Sequence, residues 1–329
     1  MQTKFRLYIF FFIILFGFGL YRMNRSYQNQ RLLLAVYHGS SPMAESALRW
    51  GADVNHRDSP IAVSARNLLL STTLISPRKT GKVHLYHDLI HLLLDHGANI
   101  NHPDPRGYTA LDYLVQTGSL HYVKEAVESG AAVNRDLSES GRGTTPLMLA
   151  AQARRLPNLF ASHHDAYHRI IALLLEQGAD VNAEDLNGRT ALYYMAGQRR
   201  AHATVLLMLE AGARVNPERP DRGPLHLAAM NGRPSVVREL LKHGAKVDHP
   251  TGEGFTPAFL AAYANSGHET DGVEVLRILI EAGANLDLEF AGRPPIRESP
   301  LAKRALTLSE EKSSRLHLGA ESPHKYTHY

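Results

Sequence analysis

The sequence predicts an all-α repeat solenoid, in which helix-turn-helix units stack side by side. A five-residue phrase of the type Gly-Ala-x-Val-Asn returns seven times along the 329 residues. A run of aliphatic residues at helical spacing precedes most copies, as expected of a helix that buries one stripe. Regular repetition of this kind is the sequence signature of a solenoid. The first residue of each copy is called its phrase glycine. These glycines are Gly51, Gly97, Gly130, Gly178, Gly212, Gly244 and Gly283.

An apolar run from Leu7 to Leu20 precedes the repeats and follows Lys4 and Arg6. Its 14 residues fall short of the roughly 20 that span a bilayer comfortably, and a secretory signal has an apolar core of this size. We expect residues 1–25 to form one hydrophobic helix that inserts into a membrane through residues 5–21. Cleavage and secretion of the remaining chain is the alternative.

A second phrase precedes five of the seven glycines and predicts the first helix of a unit. Clear copies read TTPLMLAA and GFTPAFLAA. The hydroxyl of Thr145 or Thr256 can cap a helix by accepting a backbone N–H. Pro146 or Pro257 then fits the first helical position, where a missing N–H costs nothing. The small alanine pairs allow neighbouring helices to pack closely.

Each aliphatic run predicts the second helix of a unit, and the glycine of the five-residue phrase ends it. Glycine adopts the left-handed conformation that closes a helix without steric cost. A lone unit cannot bury its apolar face, so several units must stack. The repeats therefore end near Asn55, Asn101, Asn134, Asn182, Asn216, Asp248 and Asp287.

The two phrases together resemble the ankyrin repeat family. The family's TPLHxAA opening is matched well by the segment RGPLHLAA. Three spacings between phrase glycines, 33, 34 and 32 residues, match the ankyrin period of about 33. Spacings of 46, 48 and 39 residues fit the same period with insertions between the two helices of a unit. The resemblance implies stacked ankyrin units with short β-hairpin-like connections. We expect a bacterial-type member with an N-terminal anchor or signal sequence.

The repeat array is predicted to occupy residues 31–308. Its first unit lacks the Thr-Pro phrase and is interpreted as the N-terminal cap. Residues 298–308 resemble half a repeat, in which Ser299 and Pro300 open a helix, and they form the predicted C-terminal cap. Residues 309–329 are polar and lack an apolar period, so we expect a mobile tail there.

The composition excludes several classes of function. There is no cysteine, which rules out disulfides, thiol catalysis and cysteine-based zinc sites. No Gly-x-Ser-x-Gly phrase marks a serine nucleophile. The net charge of +4 is far from the dense positive charge of most nucleic-acid-binding proteins. We predict a non-catalytic, monomeric array that needs no cofactor and binds no nucleic acid.

Nineteen histidines raise the hypothesis of a metal site, because histidines one helical turn apart can bind zinc. Two groups stand out, His84, His87 and His91, and His163, His164, Asp165 and His168. However, His87, His168 and His202 each fall ten residues before the glycine that ends their unit. This shared position indicates a structural role, so we predict no metal site. His226 takes the place of the family's TPLH histidine, which is expected to hydrogen-bond locally.

The resemblance implies a concave binding face, formed by hairpin tips and first helices, for a protein partner of unknown identity. Aromatic residues and arginine are enriched at protein contacts. The residues predicted to face the partner are His56, Arg57, Arg106, Tyr108, Arg189, Met230, Asn231, Phe255 and Tyr263. A basic stripe is predicted at the ends of the first helices, where an acidic protein surface or phospholipid headgroups could dock. It comprises Arg154, Arg155, Arg199, Arg200 and Arg233.

Together these interpretations predict a protein-interaction module that is tethered to a membrane by a single pass or exported across it. We expect the repeats on the periplasmic side, with secretion after signal cleavage as the alternative. Three finer hypotheses stay open: an immunity protein that neutralises an envelope-acting toxin, a secreted effector that interacts with host proteins, and a structural scaffold of the envelope.

Overall fold

The computed structural model describes residues 21–73, 81–134, 143–152, 164–216, 223–263, 269–288 and 294–320. The regular structure of these residues is helical, and no strand occurs among them. The described connections between repeats, predicted as β-hairpin-like, are therefore turns without strands, and their outermost residues are called hairpin tips. The chain forms two compact units, unit 1 from Met1 to Ala179 and unit 2 from Asp180 to Tyr329. The hydrophobic helix predicted within residues 1–25 lies almost wholly outside the described residues.

Helices alternate along both units as the first and second helices of successive repeats. Unit 1 contains α1 (residues 21–38), α2 (Ser41–Arg49), α3 (Pro60–Thr73), α4 (Gly81–Asp95), α5 (Ala110–Gln116), α6 (Leu120–Glu128), α7 (Pro146–Gln152) and α8 (His164–Glu176). Unit 2 contains α9 (Ala191–Ala196), α10 (His202–Glu210), α11 (Pro224–Met230), α12 (Pro234–Lys242), α13 (Pro257–Tyr263), α14 (Glu269–Glu281), a 3-10 turn (Ile296–Glu298) and α15 (Pro300–Ala320).

The predicted caps begin the first helices. The hydroxyl of Thr145 accepts the backbone N–H of Met148 at 3.2 Å, and α7 begins at Pro146. The hydroxyl of Thr256 likewise accepts the backbone N–H of Phe259 at 3.3 Å before α13. These bonds satisfy donors that have no partner inside the helix, so the Thr-Pro interpretation is confirmed.

The phrase glycines end the second helices. All seven have φ between 79° and 92°, and at Gly97 the next N–H, that of Ala98, donates to the carbonyl of Leu93 at 2.9 Å. A Cβ atom at these glycines would meet no atom within 4 Å. Glycine is therefore required at these positions by the left-handed backbone conformation and not by steric crowding.

The core of each unit repeats one buried position. Four positions before each phrase glycine lies a residue no more than 4% exposed: Ala47, Leu93, Ala126 and Leu174 in unit 1, and Met208, Leu240 and Leu279 in unit 2. Because every repeat contributes the same position, the apolar stripes of neighbouring helices join into one core within each unit.

The predicted insertions lengthen the helices beside them. Helix α3 has 14 residues where α5 has 7, and α4, α8 and α14 have 15, 13 and 13 residues where α6, α10 and α12 have 9. Added length is thus absorbed partly as helical turns. Residues 74–80, 153–163 and 264–268, which complete the insertions, lie outside the described residues.

The C-terminal helix is longer than the predicted cap. The hydroxyl of Ser299 accepts the backbone N–H of Ala302 at 3.1 Å, and α15 starts at Pro300. The helix continues to Ala320, so it includes residues 309–320 of the predicted tail. These residues are rich in Glu, Lys, Arg and Leu, whose helix propensity is high even without an apolar period.

Asparagine side chains join successive repeats, and each such contact is called an asparagine bridge. Asn216 Nδ2 donates to the carbonyl of Gly244 at 2.9 Å, and its Oδ1 accepts the backbone N–H of Lys246 at 3.0 Å. Asn101 makes the same pair of bonds to the following repeat of unit 1. Asp248 keeps only the acceptor half, because its carboxylate accepts the backbone N–H of Asn285.

Asn216→Ala removes both hydrogen bonds of one bridge, and we expect the free energy of unfolding to fall by about 1–3 kcal/mol. Asn216→Asp retains the acceptor and should lose less. Lys246→Ala is the matched control, since it keeps the backbone N–H that Asn216 binds, and it should change stability by less than about 0.5 kcal/mol. Urea denaturation of the full chain measures all three, and wild-type stability of Asn216→Ala would contradict the bridge.

Candidate functional site

An aspartate organises the hairpin tip before α5 in unit 1. Asp104 Oδ1 accepts the backbone N–H groups of Arg106 and Tyr108 at 2.9 and 3.0 Å. Its Oδ2 accepts the hydroxyl of Tyr113 at 2.7 Å, and burial, with this hydrogen bond, raises the pKa of Tyr113. The tip therefore presents the exposed Arg106 and the half-buried Tyr108 on an ordered backbone.

Asp185 repeats this arrangement in unit 2. Its Oδ1 accepts the backbone N–H groups of Asn187 and Arg189 at 2.8 and 2.9 Å, and its Oδ2 accepts the hydroxyl of Tyr194. Burial, followed by this hydrogen bond, raises the pKa of Tyr194 to about 12. The guanidinium of Arg189 lies 5.4 Å from the centre of the Tyr193 ring, so this predicted contact residue is held against its own repeat.

The hairpin tip before α3 carries the other two predicted contact residues of unit 1. Arg57 is exposed and His56 is half-buried. The carbonyl of His56 accepts the backbone N–H of Ser59 at 2.7 Å. The imidazole Nδ1 of His56 lies 3.2 Å from the carboxylate of Asp58. His56 thus supports the turn, and Arg57 is the more accessible of the two.

Three aromatic rings in unit 2, Phe255, Phe259 and Tyr263, form a row that we call the aromatic row. The rings of Phe255 and Phe259 stack with centres 4.7 Å apart, and those of Phe259 and Tyr263 lie 4.9 Å apart. Phe255 and Tyr263 are half-buried, whereas Phe259 is buried. The sequence interpretation selected the two outer rings and missed the central one, although the four-residue spacing of all three was a signal for it.

Met230 and Asn231 close helix α11. Met230 is its last residue and is half-buried. Asn231 follows it, and its Nδ2 donates to the carbonyl of Leu227 at 2.8 Å. The amide of this predicted contact residue therefore serves partly to end its own helix.

The described part of the basic stripe consists of Arg199, Arg200 and Arg233 in unit 2; Arg154 and Arg155 lie outside the described residues. Arg199 and Arg200 are exposed. Arg233 is half-buried, and its Nε donates to the carbonyl of Gly197 in the preceding repeat at 3.1 Å. Burial, and then the positive charge of Arg199, lower the pKa of Arg233. Arg199 and Arg233 are thus close enough for their charges to interact, but Arg233 is committed to its neighbours.

His226 makes the predicted local hydrogen bond and one more. Its Nδ1 accepts the backbone N–H of Gly223 at 3.1 Å, and its Nε2 lies 2.6 Å from the carbonyl oxygen of His249 in the next hairpin. Because a carbonyl oxygen can only accept, Nε2 carries the proton. The ring therefore caps its own helix and ties it to the following repeat.

Histidine and glutamate side chains converge between the second helices of unit 1. His87 Nε2 lies 2.7 Å from an oxygen of Glu125 and 3.3 Å from Nε2 of His91. Burial acts to raise the pKa of Glu125, but hydrogen bonding and charge from His87, with the charges of His121 and His91, lower it overall. The sequence interpretation treated the histidines one helix at a time and so missed Glu125. The other histidine group, near His163, lies partly outside the described residues.

The family model described as Ankyrin repeats (3 copies) matches residues 82–161, 159–251 and 218–290. Together these stretches cover more than half of the chain. The chain belongs to the ankyrin repeat family. Its alternating helices are accordingly the paired helices of ankyrin repeats, and the predicted all-helical solenoid is confirmed.

The ankyrin array is similar to several curated proteins. Human ankyrin repeat and SOCS box protein 16 is 34% identical over 215 residues, which cover 61% of this chain and 44% of that protein. Human ankyrin repeat and SOCS box protein 6 is 32% identical over 227 residues, which cover 61% of this chain and 49% of that protein. The matched part of the ankyrin array thus spans about half the length of these relatives.

A solved structure supports the same fold. The crystal structure of the human ASB11 ankyrin repeat domain matches with a TM-score of 0.53 and 20% sequence identity. The match covers 77% of this chain and 98% of that domain. At this sequence identity, the similarity supports the assignment of the fold and nothing further.

The predicted localisation, a single-pass membrane protein with periplasmic repeats or a secreted form of it, is wrong. The relatives above are human ankyrin repeat and SOCS box proteins, whereas a periplasm is a bacterial compartment. The predicted bacterial type and N-terminal anchor have no support from these matches. Among the residues described, no helix combines the length and apolarity that crossing a bilayer requires. The apolar run from Leu7 to Leu20 lies outside them.

The family assignment supports a protein-interaction module. Two relatives carry enzyme names, the E3 ubiquitin-protein ligase KEG of Arabidopsis thaliana and the tyrosine-protein kinase HTK16 of Hydra vulgaris. The matched regions cover 13% and 15% of those proteins, so their names describe much longer chains. The non-catalytic prediction for this ankyrin protein rests on its family.

Tyr194→Phe removes the hydroxyl that binds Asp185, and we expect the free energy of unfolding to fall by about 1–2 kcal/mol. Folding raises the pKa of Tyr194 from 10.0 to about 12. The contribution of this hydroxyl to the free energy of unfolding is therefore complete below pH 10.0 and is lost as the pH rises through about 12. Urea denaturation at neutral pH and across that interval measures it, with Tyr193→Phe as the neighbouring control. A wild-type advantage that persists undiminished above the interval would contradict the assignment.

Proposed function

We propose that this ankyrin array binds a protein partner through the first-helix face of unit 2, with the aromatic row as the principal contact. The observation that carries the proposal is the row's exposure: Phe255 and Tyr263 stay half-exposed while both contact the buried Phe259, Phe255 by stacking and Tyr263 at a tilt. Side chains that are ordered before binding lose little conformational entropy when a partner arrives. Aromatic anchors of this kind carry much of the binding energy in protein interfaces.

Positive charge in the same unit favours a partner with acidic side chains near its apolar contact. Arg199 and Arg200 are exposed, whereas Arg233 is engaged by the carbonyl of Gly197. Exposed charges at an interface change association rates and selectivity more than affinity. We therefore assign affinity to the aromatic row and partner selection to Arg199 and Arg200.

The predicted contact residues of unit 1 are proposed as a secondary surface. Arg57 and Arg106 are exposed, and Tyr108 is half-buried beside Tyr113, with ring centres 5.2 Å apart. This surface offers more charge and less apolar area than the aromatic row. We therefore expect it to contribute less to binding than the aromatic row.

The three finer hypotheses lose their basis. An immunity protein, a secreted effector and an envelope scaffold all required an exported or membrane-tethered array, and the relatives give no support to export. Protein binding by the array does not depend on export, so the proposal is limited to it.

The partner can be identified and the face tested in the same cells. A photo-reactive amino acid at position 255 of the full chain should cross-link one dominant protein, whereas the same group at position 210, on the second helix α10, should not. Against that purified protein, Phe255→Ala should weaken binding by about tenfold or more. Glu210→Ala is the control for the opposite helix layer and should leave the affinity unchanged.

Two further measurements make the outcome decisive. Thermal unfolding must show that Phe255→Ala remains folded, and Tyr263→Phe, which removes only the hydroxyl that donates to the carbonyl of Pro294, should bind as the wild type does. Equal affinity of Phe255→Ala and the wild-type chain would refute the aromatic row as anchor. Cross-linking from position 210 to the same protein would refute the choice of face.

A further inference from the structure

Three side chains of types that can ligate a metal meet in unit 1. His87 and His91 project from the same face of α4, one turn apart, and Glu125 reaches them from α6 of the next repeat. The ligand atoms of the three all lie within 4.8 Å of one another. Throughout the part of the chain that the structure describes, this is the only group of three or more such residues with that geometry.

The distances are close to those of a tetrahedral zinc site. Ligand atoms about 2.0–2.1 Å from zinc stand about 3.3–3.4 Å apart at the corners of a tetrahedron. The Nε2 atoms of His87 and His91 are 3.3 Å apart. Glu125 Oε2 lies 2.7 Å from His87 Nε2, and the other oxygen, Oε1, lies 3.8 Å from His91 Nε2, so small shifts that bring one oxygen toward both imidazoles would complete the arrangement.

The site has room for those shifts and access for an ion. The side chains of His87, His91 and Glu125 are 21%, 49% and 30% exposed. They line a groove together with the buried Ile90 and Leu114. Tyr122 and Ser129 also line it, but their neutral hydroxyls are not among the usual zinc ligands, whereas imidazole and carboxylate are.

A second pair in unit 2 shows what distinguishes this site. His202 and Glu239 occupy the repeat positions of His87 and Glu125, ten and five residues before their phrase glycines, and their side chains lie 3.5 Å apart. Leu206 stands where His91 stands in unit 1, and Glu239 is bound by Lys242 at 2.8 Å. That pair is an ordinary ion pair between helices, which lacks a second imidazole and already has a cation.

We propose that His87, His91 and Glu125 bind one divalent transition-metal ion of the zinc type, with a water molecule as the fourth ligand. Two imidazoles and a carboxylate without any thiolate are a donor set typical of zinc. His87 would present its Nε2 lone pair as the neutral Nδ1–H tautomer. The bound ion would join the second helices of two consecutive repeats, at the groove between α4 and α6.

The test titrates the untagged full chain, freed of metal by a chelator, with Zn²⁺ by calorimetry and with Co²⁺ by visible absorption. We expect one tight site per chain and the intense visible bands of tetrahedral Co²⁺. His91→Asn and Glu125→Gln should each weaken this site by at least about tenfold. His96→Asn is the matched control, because His96 is an exposed histidine directly after the same helix, and this variant should bind as the wild type does.

Thermal unfolding supplies an independent measure, because an ion that binds only the folded state raises the melting temperature. Zn²⁺ should raise it for the wild type and His96→Asn but not for His91→Asn or Glu125→Gln. Three results would overturn the proposal: no saturable tight site, equal binding by all variants, or a loss caused by His121→Asn and not by His91→Asn. The last would assign the ion to the exposed imidazole of His121, 3.5 Å from Glu125.

Discussion

The asparagine bridge sets the register between neighbouring repeats, and the other features of each unit depend on that register. After each phrase glycine the chain turns, and the glycine carbonyl and the N–H two residues later face the preceding repeat. Asn101 fills both roles for Gly130 and Ala132, as Asn182 does for Gly212 and Arg214. Backbone groups left without partners would cost free energy, so this contact favours one distance and one offset between repeats.

A constant register brings equivalent positions of successive repeats together. Glu125 therefore meets His87 in unit 1, and Glu239 meets His202 in unit 2 by the same geometry. The scaffold supplies the pairing, and single substitutions at neighbouring positions decide its chemistry. His91 adds a second imidazole in one case, whereas Lys242 neutralises the carboxylate in the other. Different sites can thus arise on one repeated framework without any change of fold.

Local chemistry was predictable where it lies within a few contiguous residues. Thr145 caps its helix as the phrase predicts, and each phrase glycine takes the left-handed conformation. The candidate face was predictable only in part: Phe255 and Tyr263 were identified, but Phe259, whose ring contacts both, was not. Arg233 and Asn231 looked like contact residues in the sequence, yet both bind backbone carbonyls. The apolar run near the N-terminus predicted an exported bacterial protein, and the relatives overturned that localisation.

By itself, the sequence determined the repeat, its period, the two helices of each unit and the family, because capping residues, glycine and apolar stripes act over one or two turns. Only the tertiary structure decided which side chains form sites. His87 and Glu125 are 38 residues apart in the chain, and Tyr263 reaches a carbonyl 31 residues away. Such distances depend on how the repeats stack, and stacking is set by contacts between units rather than by any one segment.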